Sequence, residues 1–231
     1  MNHSDDLRVI PQPGGGERSA GEYAADRHAM VETQLHRRGI KDPAVLEAMA
    51  SVPRHEFVPA EFRYRAYEDT PLPIGEGQTI SQPYMVAAMA VALQLRGTER
   101  VLEVGAGCGY QAAVLAQLAK EVFAIEFRTG LAAATTERLA RYTNVHVHCG
   151  DGAFGLPESA PFDAIVVSAA APAPPEPLLA QLSATGRLVV PVGDLENQEL
   201  QRIQREHGTF RKITLEPCRF VPLVGAYGWK D

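Results

Sequence analysis

The sequence predicts an α/β protein: a doubly wound, mostly parallel sheet with an N-terminal helical extension and a C-terminal antiparallel hairpin. Three observations predict it. Beyond Arg100, short apolar runs alternate with helical segments, the pattern of parallel strands joined by crossover helices. The first such run, Arg100 to Val104, enters Gly105-Ala106-Gly107-Cys108-Gly109, and a helical segment leaves that turn. From Glu199 onward the alternation stops, and two extended runs flank His207-Gly208.

The elements follow in order. Residues 1–24 read as a disordered tail, because Pro11, Pro13 and Gly14-Gly15-Gly16 lack the periodicity that buries a face. Order is expected from near Tyr23, with Met30, Val31 and Leu35 at helical spacing and Gly39 as a stop. Asp42-Pro43 opens a second helix as cap and first-turn proline. Pro53 and Pro59 then predict short extended pieces, and Glu61 to Glu68 reads as a solvated segment. Residues 70–83 read as a long loop with two glycines and three prolines, and loops of that length inside a domain are usually functional. A helix is expected from Pro83 to Leu95. Strands follow at Arg100–Val104, Glu121–Ile125, Val145–His148, Phe162–Ser168 and Arg187–Val192. Helices are expected at Tyr110–Lys120, Thr129–Tyr142 and Pro175–Ser183. The terminal hairpin pairs Glu199–Arg205 with Phe210–Leu215, and a last strand is expected over Phe220–Val224.

Composition removes several classes of function. Lysine and arginine total 22 against 28 acids, so the net charge is −6 at pH 7. A nucleic-acid binder usually carries a positive stripe, and none is expected here. No apolar run approaches the ~20 residues that span a bilayer. The N-terminal residues do not read as a secretory signal. Cys108, Cys149 and Cys218 are odd in number and widely spaced, which supports neither a zinc site nor a disulfide framework. A cytoplasmic protein with reduced thiols is the expectation. His146 and His148 share a strand face, but no third metal ligand stands near them.

The glycine turn carries the densest chemical signal. In doubly wound sheets ligands lie at the carboxyl ends of the strands, where glycine lets the backbone approach closely. A ligand-free tight turn is the plain alternative. The spacing is G-x-G-x-G rather than the dinucleotide G-x-G-x-x-G, with Tyr110 in place of the third dinucleotide glycine. Glu103 precedes Gly105 by two residues. An acid there would repel a pyrophosphate but suits a cationic ligand. Glu126 ends the second strand, 21 residues after Gly105, where a ribose-binding acid is expected. Its carboxylate accepts from both ribose hydroxyls. Asp151, beside Gly152, ends the third strand; a ligand contact and a helix cap are both open to it.

The Glu103 to Gly109 register resembles that of class I, Rossmann-like methyltransferases. The whole stretch from about residue 25 to Trp229 resembles the protein-L-isoaspartate O-methyltransferase family. Pro73 to Pro83 (Pro-Ile-Gly-Glu-Gly-Gln-Thr-Ile-Ser-Gln-Pro) is the most specific segment. Val52 to Pro59, Phe162 to Val167, Ala169 to Pro172 and Arg187 to Gly193 also match. Cys108, Ser168 and Ala184-Thr185-Gly186 depart from the family pattern.

The resemblance implies methylation of the α-carboxylate of L-isoaspartyl residues in damaged proteins and peptides, initiating repair through a succinimide. It implies S-adenosyl-L-methionine as cofactor and a monomer, and the composition leads us to expect neither nucleic acid nor membrane as a partner. It implies one domain over 25–231: a helical cap and substrate-side loop at 25–82, a cofactor-binding core at 83–193 and C-terminal strands at 194–231. The cofactor residues it implies are Glu103, Gly105, Gly107, Gly109, Glu126, Asp151 and Gly152. Asp151 would reach the adenine amino group. Thr79, Ile80, Ser81 and Ala170 would meet the substrate, with the Ala169 to Pro177 run as a cleft wall. Ser81 is the catalytic candidate, donating to the substrate carboxylate or steadying the loop; capping the Pro83 helix is its other role. Three other readings stay in view: a small-molecule methyltransferase, a non-catalytic binding module and a dinucleotide dehydrogenase.

Overall fold

The computed structural model describes residues 18–230. Helix α1 (Ala20–Met30) opens on Ser19, whose hydroxyl accepts from Glu22 N at 3.3 Å while the Glu22 carboxylate accepts from Ser19 N at 2.8 Å. This reciprocal cap satisfies two otherwise orphaned donors. Residues 20–24 of the expected tail are therefore helical; residues 1–17 lie outside the described residues. The helical path runs on through a π turn (Val31–Leu35) and a 3-10 turn (His36–Arg38) and stops at Gly39, φ +101°. Asp42 caps α2 (Pro43–Ser51), accepting from Ala44 N and Val45 N.

The stretches after Pro53 and Pro59 are 3-10 turns, Arg54–Phe57 and Ala60–Arg65, not extended pieces. A proline φ near −65° starts such a turn as readily as an extended one. Glu61 to Glu68 is not wholly solvated: Ala66 and Tyr67 are buried. Arg54 is fully buried too, donating from Nε to Ala66 O at 2.8 Å with its guanidinium 4.9 Å from the Tyr110 ring centroid. It ties this cap to the end of the glycine turn.

The expected 70–83 loop is a small antiparallel ribbon, β1 (Leu72–Gly75) and β2 (Gln78–Ile80), turned by Gly75 (φ +96°), Glu76 and Gly77 (φ +70°). Leu72 pairs with Ile80, and both are buried. That pairing fixes the exit of the ribbon into Ser81-Gln82 and then α3 (Pro83–Leu93).

The core elements are β3 (Arg100–Val104), α4 (Tyr110–Ala116), β4 (Glu121–Glu126), α5 (Thr129–Leu139), β5 (Val145–Cys149), β6 (Phe162–Val167) and α6 (Glu176–Ala180). Strands β7 (Leu182–Gly193), β8 (Gln198–Glu206) and β9 (Thr209–Cys218) complete the chain. The seven-stranded sheet has the order β5-β4-β3-β6-β7-β8-β9. Strands β3 to β7 are parallel; β8 and β9 add antiparallel. The mixed α/β architecture and its terminal hairpin are as the sequence predicts.

Alternation along the strands builds a core on each sheet face. Val101, Ala124, Ala164 and Val166 belong to one, Leu102, Ile125, Ile165 and Val167 to the other. Further local expectations give way, α4 and α5 ending at Ala116 and Leu139, short of Lys120 and Tyr142. Helix α6 is shorter than expected and β7 longer, because Leu182 already pairs with Phe162. The last strand, over 220–224, reduces to isolated bridges of Pro222 to Ala170 and Val224 to Trp229. Proline lacks the N–H that a ladder needs. Among the described residues no helix is long and apolar enough to cross a membrane.

Candidate active site

The chain reverses direction across the sheet between β3 and β6. After β3 it winds outward through β4 and β5; with β6 it returns to the other side of β3. Ligands bind at such a switch point, outside the carboxyl ends of the strands. Three adjoining cavities lie here, and Thr79 and Ser168 line all three.

The first cavity sits over the glycine turn. Gly105 (φ +84°) and Gly107 (φ +55°) line it with Glu103, Ser81, Cys108 and Gln111. Glu103 pairs laterally with Ala124 on β4 and Val166 on β6, so apolar neighbours flank its carboxylate. It is 1% exposed. Its Oε1 accepts from Ser168 Oγ at 3.3 Å, and its Oε2 is buried without a partner. Burial pushes the Glu103 carboxyl up to about 8; the Ser168 bond opposes that shift and the nearby Glu126 charge adds to it. Cys108 is buried, and burial raises its thiol, so it is no thiolate nucleophile at neutral pH.

The second cavity lies beyond β4. Glu126, Phe127, Arg128 and Gly152 form one wall, Val221 to Val224 another. Glu126 Oε2 accepts from Gly107 N at 2.7 Å and Oε1 from Arg128 N at 2.9 Å. The acid at the end of β4 therefore anchors the glycine turn as well as facing the cavity. At Gly152 a Cβ would stand 2.6 Å from Val104 Cγ1, so only glycine fits that floor.

The third cavity, of about 450 Å³, opens on the far side of Ser81. Arg38, Tyr84, Glu216 and Arg219 give it a polar rim. The Arg38 guanidinium lies 3.7 Å from the Tyr84 ring centroid and pairs with Asp69, which accepts from Tyr84 N. Ser81 is half-buried on the wall between this cavity and the one over the glycine turn. It does not cap α3, whose cap residue is Gln82 without a side-chain bond.

Most of the residues singled out in the sequence meet here: Glu103, Gly105, Gly107, Glu126, Gly152, Thr79, Ile80 and Ser81 all line the joined cavities. Three do not. Gly109 (φ +87°) packs against α5, where a Cβ would stand 2.9 Å from Leu139 and Thr135 side chains. The Asp151 carboxylate is bound to Ala153 N and Ala226 N, both at 2.9 Å, and is not on a cavity wall. Ala170 is fully buried, its backbone bonded to Val221 and Leu223. Pro172 to Pro177 line none of the three cavities either. Sequence reasoning missed Ser168, Gln111 and Val221 to Val224. Ser168 stood out only as a departure from the family pattern; the other positions carried no local signal.

His55 stacks on Tyr23 at 3.9 Å and bonds the Tyr67 hydroxyl, a packing role. His146 and His148 pack near Phe123. Among the described residues no group of three His, Cys, Asp or Glu side chains is placed to hold a metal.

Residues 25–228 match the family model for protein-L-isoaspartate(D-aspartate) O-methyltransferase. The chain is 55% identical to the protein-L-isoaspartate O-methyltransferase of Roseiflexus sp. (strain RS-1) over 210 residues, 90% of this chain and 96% of that one. It is 51% identical to the protein of the same name from Methanoregula boonei over 208 residues, 89% of this chain and 96% of that one. Among solved structures it resembles a putative protein-L-isoaspartate O-methyltransferase from Plasmodium falciparum in complex with S-adenosyl-L-homocysteine. That likeness has a TM-score of 0.75 and 28% identity, covering 86% of this chain and 98% of that one.

Proposed function

Since the chain belongs to the protein-L-isoaspartate(D-aspartate) O-methyltransferase family, we propose that its joined cavities divide one reaction between a cofactor side and an acceptor side. The enzyme methylates isoaspartyl residues of proteins and peptides, using S-adenosylmethionine. The observation that carries the division is Glu103: a buried carboxylate at a strand end, one oxygen unpaired, in the wall of the cavity over the glycine turn.

The residues present fit the cofactor. Glu103 Oε2 suits its ammonium, since an unpaired buried acceptor is stabilised by a cationic donor. Glu126 retains lone pairs for the ribose hydroxyls beyond its two backbone bonds. Gly105 and Gly107 leave room beside the turn, and Gly152 keeps the cavity floor low. When bound, S-adenosylmethionine supplies a methyl group carried on a sulfonium.

No strong base is needed on the acceptor side. A carboxylate with a pKa near 4 is already ionised at pH 7. The chain has only to hold it in line, about 3 Å from the methyl carbon. Ser81, between the two sides, donates its hydroxyl to that carboxylate, and Thr79 and Ile80 shape the passage. The resulting ester loses methanol when the following backbone nitrogen attacks its carbonyl carbon. The succinimide then opens with water, in part to normal aspartate.

We further propose a monomer that acts alone on its peptide. Three free cysteines support a reducing, cytoplasmic setting. The test is incubation with methyl-labelled S-adenosylmethionine and two matched peptides, one isoaspartyl and one aspartyl. Base-labile label confined to the isoaspartyl peptide is expected. Label on both peptides, or on neither, overturns the reading.

A further inference from the structure

Gln111 is the second residue of α4, across the glycine turn from Glu103. It is 7% exposed and lines the same cavity. Its Nε2 is buried without a hydrogen-bond partner. Its neighbours Ala112, Ala113, Val114 and Leu115 are all apolar and buried. An apolar side chain would serve packing at this position, whereas an unmet buried donor destabilises the fold. Glu103 lines the same cavity, and its buried Oε2 also lacks a partner, an acceptor once the carboxyl is ionised. A cavity with one unpaired carboxylate oxygen and one unpaired amide donor is complementary to an amino-acid zwitterion.

We propose that Gln111 is a cofactor-binding residue whose side-chain amide donates to the carboxylate of the methionyl end of S-adenosylmethionine, opposite the ammonium held by Glu103. The inference rests on the cofactor side assigned above. It makes Gln111 a recognition element for the amino-acid end, independent of the adenosine end.

The assignment is tested by calorimetric titration of the whole chain with S-adenosylhomocysteine and with its decarboxylated analogue. The variants are Gln111→Leu and the near-isosteric Gln111→Met, each first shown to be folded by circular dichroism. Wild type is expected to bind S-adenosylhomocysteine, and both variants to bind it at least tenfold more weakly, the scale of a hydrogen bond to a charged group. The decarboxylated analogue is expected to bind wild type and variants within about twofold, because the partner group is gone from the ligand. An equal loss for both ligands would show a merely structural role and overturn the proposal. So would unchanged affinity for S-adenosylhomocysteine. Wild type binding neither ligand would instead remove the cofactor reading on which the proposal stands.

Discussion

The Ser168 hydroxyl donates to Glu103 Oε1 at 3.3 Å, from the end of β6 to the end of β3, and leaves Oε2 of the same carboxylate unpaired. This bond joins two neighbouring strand ends at the switch point, and it opposes the burial that raises the Glu103 carboxyl.

With its carboxyl pushed up to about 8, Glu103 is protonated in the free protein at neutral pH. An ammonium beside it favours the ionised form. Cofactor binding between pH 5.5 and 7 therefore releases a proton, and affinity rises with pH by up to about tenfold per unit. Titration with S-adenosylhomocysteine in buffers of different ionisation enthalpy measures the release directly. Glu103→Gln should abolish it and flatten the profile. Ser168→Ala removes the bond that opposes the shift, so its profile should move to higher pH.

The same group biases stability. The folded protein holds a proton on Glu103 that the unfolded chain gives up near pH 4.5. The folded state thus binds more protons between about pH 4.5 and 8, and this contribution to stability is lost as pH rises through that window. Urea unfolding at pH 5 and pH 8 should show wild type losing more stability than Glu103→Gln over the interval. Parallel changes in the two proteins would contradict the buried, protonated carboxyl.

Glu126 carries a double burden, accepting from Gly107 N and Arg128 N while lining the second cavity, where we propose that it meets the ribose. In Glu126→Gln one carboxylate oxygen becomes an amide donor and leaves a backbone N–H without an acceptor. Hydrogen bonds to charged groups contribute about 1.5–3 kcal/mol each. The free variant should lose about 2 kcal/mol by urea unfolding and bind S-adenosylhomocysteine at least tenfold more weakly. Lost affinity with unchanged stability would mean that the acid does not anchor the turn.

Much of this was legible in the sequence. Strand runs such as Val101-Leu102 and Ile165-Val166 alternate between two cores, and the glycine turn marked a cavity at the strand ends. What escaped was set by distant partners. The role of Ser168 depends on β6 lying beside β3. The ribbon at 72–80 read as loop because three of its nine residues are proline or glycine, yet the Leu72–Ile80 pairing overrides those propensities. Ser81 suggested a cap by its distance from Pro83, but Gln82 occupies that position.

That placement makes Ser81 a clean probe. Its hydroxyl has no hydrogen-bond partner among the described residues, so Ser81→Ala gives up no native bond and the melting temperature should stay within about 1 °C. Affinity for S-adenosylhomocysteine should be retained. Turnover of an isoaspartyl peptide should fall by about 10–100-fold, the loss expected for a hydrogen bond to a charged acceptor. A near-normal kcat would sink the catalytic assignment.

Asp151 separates a structural reading from a binding one. Its carboxylate accepts from Ala153 N and Ala226 N, and Gly225 (φ +146°) turns so tightly against it that a Cβ would collide. Through Ala226 it holds the segment whose Val221 to Val224 wall the second cavity. Asp151→Ala should loosen that wall: chymotrypsin should cut more readily at Tyr227 and Trp229, and the KM for S-adenosylmethionine should rise more than kcat falls. An acid that instead met the adenine amino group would discriminate S-adenosylhomocysteine from its inosyl analogue, and Asp151→Ala would erase the discrimination. A wall-holding acid leaves that ratio the same in variant and wild type, because both ligands lose affinity together.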